Sequence, residues 1–520
     1  MWNRRGVLDT STEVGAVARE SFKNKVTITE IARQAGVSVP TVSRVVNGRS
    51  DVSPETRARV EDLLRHHGYQ RRPAAPGGRA ALIDLVFNDL DSPWAVEIIR
   101  GVEEVAHASG VGTVVADPAV GSAALVAAST ASAAAPATTA PAPVDLDPPH
   151  MRALARQLAE ESVVLLANDG ALPFASGVRR IAVLGPLADD PAGMLGCYSF
   201  PRHVLLDYPE VETGVTVPTL LEALRAELPD AEFTADPMAA DVCVVVVGDR
   251  SGLFGRGTSG EGCDAADLEL PGGQGEVVDT ALAAGTPVVL VLLSGRPYAL
   301  GRWADRCGAV VQAFFAGEEG GPAVAGVLSG RVNPSGRLPV SVPRDSAGQP
   351  WTYLAPPLGR RGEASTLDPT PLFPFGHGRS YTSYAWQRPS VDDSAFPTDG
   401  ETTLRLTVRN TGERSGTEVV QLYLHDPVGK VARPVVRLIG YARVPLEAGA
   451  SAEVHFTVPA DLAAYTGPDG DRIVEPGELE LRLAMSSADD DVRYAVPVTL
   501  TGPERVVGRE RRMRCEVRVK

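Results

Sequence analysis

The sequence predicts a multidomain chain: an all-α helix-turn-helix head, an α/β sandwich on a mostly parallel sheet, and a C-terminal antiparallel β-sandwich. Three observations predict it. At 520 residues the chain exceeds one ordinary core. Its charge is divided: the first 80 residues carry fourteen Lys/Arg against eight Asp/Glu, whereas the whole chain stands at −15. Its pattern also changes twice, from short helical periods to β-branched runs and then to strict alternation.

The head comes first. In VTITEIARQAGVSVPTVSRVVNG, residues 26–48, Thr27 and Glu30 have capping-box spacing, and Ile28, Ile31, Ala32 and Ala35 supply one apolar face. Gly36 suits the left-handed residue that ends a helix. Ser38 can cap a second helix, where Pro40 is tolerated in the first turn and Val42, Val45 and Val46 face inward. Ser53-Pro54-Glu55 opens a third helix, with Val60, Leu63 and Leu64 inside and Gly68 at its end. Two short helices joined by A-G-V-S make a helix-turn-helix, whose second helix would enter the major groove of DNA. The bland alternative is a small helical bundle.

Residues 24–72 resemble the headpiece of lactose-repressor-type (LacI-family) regulators. By position the resemblance implies that Val39, Pro40 and Arg44 face bases and that Thr27, Ser38, Thr41, Ser43 and Asn47 hold phosphates. Arg44 is the candidate for bidentate guanine reading. That family continues into a hinge helix, but QRRPAAPGGRAA disfavours a helix with its prolines and Gly-Gly pair. Residues 80–118 read strand, helix, strand, like the first βαβ unit of the family's sugar-sensing domain, which stops after Asp117.

Residues 119–145 are the clearest boundary. GSAALVAASTASAAAPATTAPAP is nearly all Ala, Ser, Thr and Pro, the composition of a linker.

In residues 146–385, RRIAVLGP, DVCVVVVGD and PVVLVLLSG are apolar β-branched runs that end in Gly, Asp or Ser, as buried parallel strands do. HMRALARQLAEES, GEVVDTALAAG and GGPAVAGVLSG supply helices between them, so a sheet covered on both faces is expected. Ligands in such sheets bind beyond the carboxyl ends of the strands. The segment Asp249 to Gly262 follows DVCVVVVG and so falls on that edge, with Glu261 between two glycines.

AEESVVLLANDGALPF, IAVLGPLAD, TSGEGCDAADLELPGGQ, GRVNPSGRLPVSVP and PLFPFGHGRSYTSY occur in this order. Together they resemble the C-terminal part of family 3 glycoside hydrolases, the β-glucosidases and β-xylosidases of carbohydrate metabolism. The resemblance implies that Glu261 is the acid/base, that a β-linked sugar could reach its loop, and that Arg256 and Asp264 are candidate substrate contacts. It also implies an aspartate nucleophile, in a Ser-Asp-Trp-like motif on a preceding (β/α)8 barrel. The sequence holds no S-D-W, and a barrel needs roughly 200 residues or more, whereas only linker lies between Asp117 and His150. Ala265 also stands where an arginine often follows the aspartate. Catalytic incompleteness is therefore expected. Glu318 and Glu319 read as ordinary carboxylates at a helix start, and His377 in FGHG as a loop-packing residue.

Residues 386–502 alternate apolar and polar positions, with turns at Asn410-Thr411-Gly412 and Gly416. They resemble the fibronectin type III-like module that ends many such hydrolases, and a structural role is expected. Residues 503–520 are a basic tail, a solvated end or an extra strand.

Five cysteines (Cys197, Cys243, Cys263, Cys307 and Cys515) show no C-x-x-C spacing and read as free thiols. No metal and no cofactor are expected. The sequence shows neither a signal-peptide pattern nor a membrane span, so a cytoplasmic protein is expected. DNA is the expected partner of residues 24–72, and a homodimer is left open. Three readings stand. One is a hydrolase-derived fusion, and one is a transcription regulator that uses the body as sensor or platform. The third is an accidental join of two neighbouring genes at the linker.

Overall fold

The computed structural model describes residues 28–46, 52–66, 82–86, 93–108, 112–116, 145, 147–204, 208–211, 214–346, 352–363 and 366–520. They fall into two compact units, Met1–Pro141 and Ala142–Lys520.

In the first unit, α1 (Ile28–Ala35), α2 (Val39–Val46) and α3 (Pro54–His66) form the head. Gly36 takes φ 66°, which a side chain would resist, and it stops α1. Ser38 caps α2: its Oγ accepts from the Thr41 N–H at 3.4 Å. Ile31, Ala32, Ala35, Val42, Val45 and Val60 close one core, with Leu63 and Leu64 packed against it. The Thr27 half of the expected capping box, Gly68 and the 70–81 segment lie outside the described residues. A second group pairs β1 (Leu82–Val86) in parallel with β2 (Gly112–Ala116) across α4 (Pro93–Ala108). The 119–145 linker lies almost wholly outside the described residues.

In the second unit, α5 (Pro149–Ser162) runs into β3 (Val164–Asn168). There follow β4 (Arg180–Leu184), α6 (Phe200–Val204), α7 (Leu220–Glu227), β5 (Glu232–Thr234) and β6 (Val242–Gly248). Then come α8 (Gln274–Ala283), β7 (Val288–Leu293), β8 (Ala309–Gln312) and α9 (Gly320–Ser329). The sheet order is β3-β8-β7-β6-β4-β5. Every pairing is parallel except that of the edge strand β3, which runs antiparallel to β8. Alternation sorts the strands onto two cores. Val244, Val246, Val289 and Val291 meet α5, α7 and α9 on one face. Cys243, Val245, Leu290 and Leu292 meet α8 and Trp303 on the other. Burial on both faces explains the unbroken apolar runs.

The remaining strands are β9 (Tyr384–Val391), β10 (Ala395–Pro397), β11 (Glu401–Asn410), β12 (Gly416–His425), β13 (Arg437–Leu446), β14 (Ser451–Pro459), β15 (Tyr465–Thr466), β16 (Arg472–Val474), β17 (Gly477–Ala484), β18 (Val492–Thr501), β19 (Arg505–Val506) and β20 (Glu516–Val519). The β-sandwich sets a five-stranded sheet against a four-stranded one over a single apolar core. Long antiparallel ladders join β11 (Glu401–Asn410) to β14 (Ser451–Pro459), and β12 (Gly416–His425) to β13 (Arg437–Leu446). One pairing departs from the antiparallel expectation: β10 (Ala395–Pro397) lies parallel to β18 (Val492–Thr501). It is a short edge segment reached by a crossing connection, which alternation does not reveal. The basic stretch 503–520 returns to the sandwich, where its last strand β20 (Glu516–Val519) pairs with β14.

Candidate functional site

The segments that follow β4, β6, β7 and β8 meet at the carboxyl edge of the sheet. They enclose a cleft of about 500 Å³ lined by Cys197, Tyr198, Ser251, Ser259, Gly260, Arg296 and Phe315, among others. The loop after β6 forms one wall. It starts at Asp249, which is fully buried. The Asp249 Oδ1 accepts from the Thr258 hydroxyl at 2.8 Å and from the Tyr298 hydroxyl. Its Oδ2 accepts from the Gly295 N–H at 2.9 Å. Burial, reinforced by Asp249, raises the pKa of the Tyr298 phenol, which keeps its proton and remains a donor.

The loop then folds back on itself. Thr258 N–H donates to Arg250 O at 2.8 Å, Gly252 N–H to Ser259 O at 2.9 Å, and Phe254 N–H to Glu261 O at 2.8 Å. The Cys263 N–H donates to Gly260 O at 3.1 Å and closes a four-residue turn. Gly262 takes φ 67° at the third position of that turn, the type II arrangement that favours glycine there. Glu261 is the second residue and stands at the tip, exposed. Gly260 is needed for a different reason: a Cβ there would lie 2.1 Å from Gly252 O. The Arg296 guanidinium locks the loop from the neighbouring strand by donating to Thr258 O and Cys263 O. The backbone at Glu261 is thus fixed while its carboxyl faces outward.

Among the described residues, no Asp or Glu lines the cleft; Asp207 and Glu212 lie outside the described residues. Arg256 and Asp264 lie on the same loop, exposed and outside that lining. Glu318 and Glu319 do stand at the start of α9, and neither is in the cleft lining. Glu319 is almost wholly buried and accepts from Arg152 Nε and Arg156 Nε, each at 2.7 Å. Glu318 lies 3.8 Å from Arg152 Nη1. His377 packs as a loop residue: its ring stacks on Phe373, its Nε2 bonds Leu166 O at 2.8 Å, and burial lowers its pKa.

Asp249, Tyr298 and Arg296 were not among the residues that the sequence singled out. The signal was there: a polar residue ends each of two adjacent buried strands, in VVVVGD and in LLSGRPY. Spacing in the chain does not show that 249, 296 and 298 meet.

On the head, Val39, Pro40, Thr41, Ser43 and Arg44 all fall on α2, with Ser38 as its cap. Ser38 is exposed, and Val39 and Thr41 are half-exposed. Thr27 and Asn47 lie outside the described residues. Among the described residues no group of three His, Cys, Asp or Glu could hold a metal, and no helix is long and apolar enough to cross a membrane.

Residues 163–381 match the profile of the glycosyl hydrolase family 3 C-terminal domain, and residues 418–487 that of the fibronectin type III-like domain. Residues 27–72 match the bacterial regulatory proteins of the lacI family. The chain thus resembles a lacI-type head joined to the C-terminal part of a family 3 glycosyl hydrolase. This hydrolase-like part is 34% identical to a β-xylosidase of Formosa agariphila over an alignment of 362 residues, and the match covers 66% of this chain and 49% of that protein. It is 31% identical to a periplasmic β-glucosidase of Salmonella typhimurium over 65% of this chain and 49% of that protein. The chain therefore spans about half the length of the curated relatives it matches. A solved β-glucosidase from Erythrobacter marinus superposes with TM-score 0.60 at 33% identity, covering 68% of this chain and 51% of that one. A β-glucosidase from Listeria innocua, solved with glucose, gives 0.61 at 26% identity, covering 69% and 51%.

Proposed function

We propose that this chain is a carbohydrate-related fusion whose hydrolase part carries one half of a β-glycosidase site and hydrolyses no glycoside by itself. The observation that carries the reading is the cleft beside the Glu261 loop, which no carboxylate lines among the described residues. A retaining glycosidase needs two carboxyl groups about 5–5.5 Å apart, one to protonate the leaving oxygen and one to attack the anomeric carbon. Glu261, on its turn beyond the strand ends, is suited to the first role. Asp249, Tyr298 and Arg296 act as positioning residues that hold its loop. The second role has no candidate among the described residues that line the cleft. The relatives are a β-xylosidase and a β-glucosidase, which favours a β-linked xyloside or glucoside as the substrate class.

The test is intact-mass measurement after incubation with an activated 2-deoxy-2-fluoro-β-glucoside, which accumulates the covalent glycosyl-enzyme when a nucleophile is present. No mass increment is expected. An adduct on an Asp or Glu of this chain would overturn the reading.

The lacI-type match over residues 27–72 favours a second reading, a DNA-binding regulator of carbohydrate metabolism that uses the hydrolase part as sensor or platform. DNA binding places such a protein in the cytoplasm. Operator symmetry asks for a dimer. A monomer in sedimentation at micromolar concentration would count against this reading.

A further inference from the structure

The basic tail builds a second cleft, far in sequence from Glu261. Where residues 508–514 return to the sandwich, they close a cleft of about 190 Å³ with the start of β13 and the segment around Leu462. Four arginines line it: Arg437, Arg472, Arg511 and Arg512. The one acidic residue in the lining, Asp461, is already engaged by the Arg505 guanidinium and by the Arg512 N–H at 2.7 Å. Arg512 is ion-paired with Glu401. The other three guanidiniums meet only carbonyl oxygens among the described residues. Arg437 donates to Leu462 O, Arg472 to Ala464 O at 3.0 Å, and Arg511 to Gly508 O at 3.2 Å. The Nε donors of Arg472 and Arg511 are buried without any partner.

Buried donors without partners are costly, and three converging cations add mutual repulsion. The pKa of Arg437 is lowered by its burial and by Arg472 and Arg433 nearby. A tetrahedral oxyanion relieves both costs. It presents several acceptors to forked guanidinium donors and supplies the missing negative charge. The cleft is too small for more than a compact group. We propose that this cleft binds a phosphate group, as the free ion or as the monoester end of a small phosphorylated molecule, held by Arg437, Arg472 and Arg511.

Isothermal titration of the full chain in an amine buffer tests this, with inorganic phosphate, glucose 6-phosphate and glucose as probes and matched sodium chloride as the control. Saturable one-site binding of phosphate and glucose 6-phosphate is expected, with no heat from glucose. Tighter binding of glucose 6-phosphate points to a phosphorylated small molecule. Equal binding of the two assigns the site to the free ion and supports it equally. Arg472→Gln and Arg511→Gln should each weaken binding about tenfold or more. Arg511 lies in the tail, so its variant keeps the test valid if Arg472→Gln unfolds, as followed by circular dichroism. Heats no larger than those of sodium chloride, or unchanged affinity in a folded Arg511→Gln, would overturn the proposal. So would a wild type that ignores phosphate but binds duplex DNA more tightly than Arg511→Gln, which makes the patch a nucleic-acid surface.

Discussion

Glu261 owes its position to the glycines of its turn and to the side chains that hold its loop. Its turn needs glycine twice, for φ at Gly262 and for space at Gly260. Gly260→Ala should lower unfolding free energy by about 2–4 kcal/mol, because the added methyl overlaps the Gly252 carbonyl. A denaturation midpoint within error of wild type would remove the close approach from the account. Arg296→Gln takes away two charge-assisted bonds to the loop carbonyls and should cost about 2 kcal/mol, with faster proteolysis confined to residues 250–263. Uniform proteolysis across the body would show that Arg296 does not act on this loop. The acid/base role of Glu261 rests on the family resemblance alone, whereas its place, between two glycines beyond the buried strand β6, was legible in the sequence. The clamp was not, because Arg296 reaches carbonyl oxygens 33 and 38 residues away in sequence. Backbone acceptors leave no mark on the side-chain sequence.

At the scale of elements, the unbroken apolar runs of β6 and β7 announced a doubly covered sheet, and the alternation of β11 and β12 announced a sandwich. The direction of β3 was hidden. An apolar edge strand reads the same whether parallel or antiparallel, and only its pairing with β8 decides. The packing of β12 against the 335–337 segment was hidden as well. There Glu418 is buried, 3.5 Å from Arg337, with its Oε1 unpartnered among the described residues. Burial pushes its carboxyl pKa up to about 7, against the pull of Arg337. Between its unfolded value of about 4.5 and 7, the folded protein keeps a proton that the unfolded chain has released. Stability from this group therefore falls as pH rises through that window and levels off above it. Glu418→Gln keeps a neutral side chain and should not show the fall. Relative to this variant, wild type should lose up to about 3 kcal/mol between roughly pH 5 and pH 8. Parallel urea-melt profiles for the two proteins across that range would refute the assignment.

At the scale of the whole molecule, two ancestries were readable because each left ordered motifs. The helix-turn-helix pattern marked one and the five hydrolase motifs the other. How the two parts act on each other is not written in composition. The head predicts a measurable property of its own. In fluorescence anisotropy with DNA from the region upstream of its gene, Arg44→Ala should weaken specific binding by about 1–3 kcal/mol and relax discrimination at one base position. Equal binding of specific and scrambled duplexes by wild type would leave the head without a reading role.

The central claim is that Glu261 is half of a carboxylate pair. It is tested most directly by the rate of aryl β-glucoside hydrolysis, with purified full-length protein beside its Glu261→Gln variant. The account expects both to be indistinguishable from buffer. A robust wild-type rate abolished by Glu261→Gln would mean that a nucleophile does reach the cleft, and would contradict it.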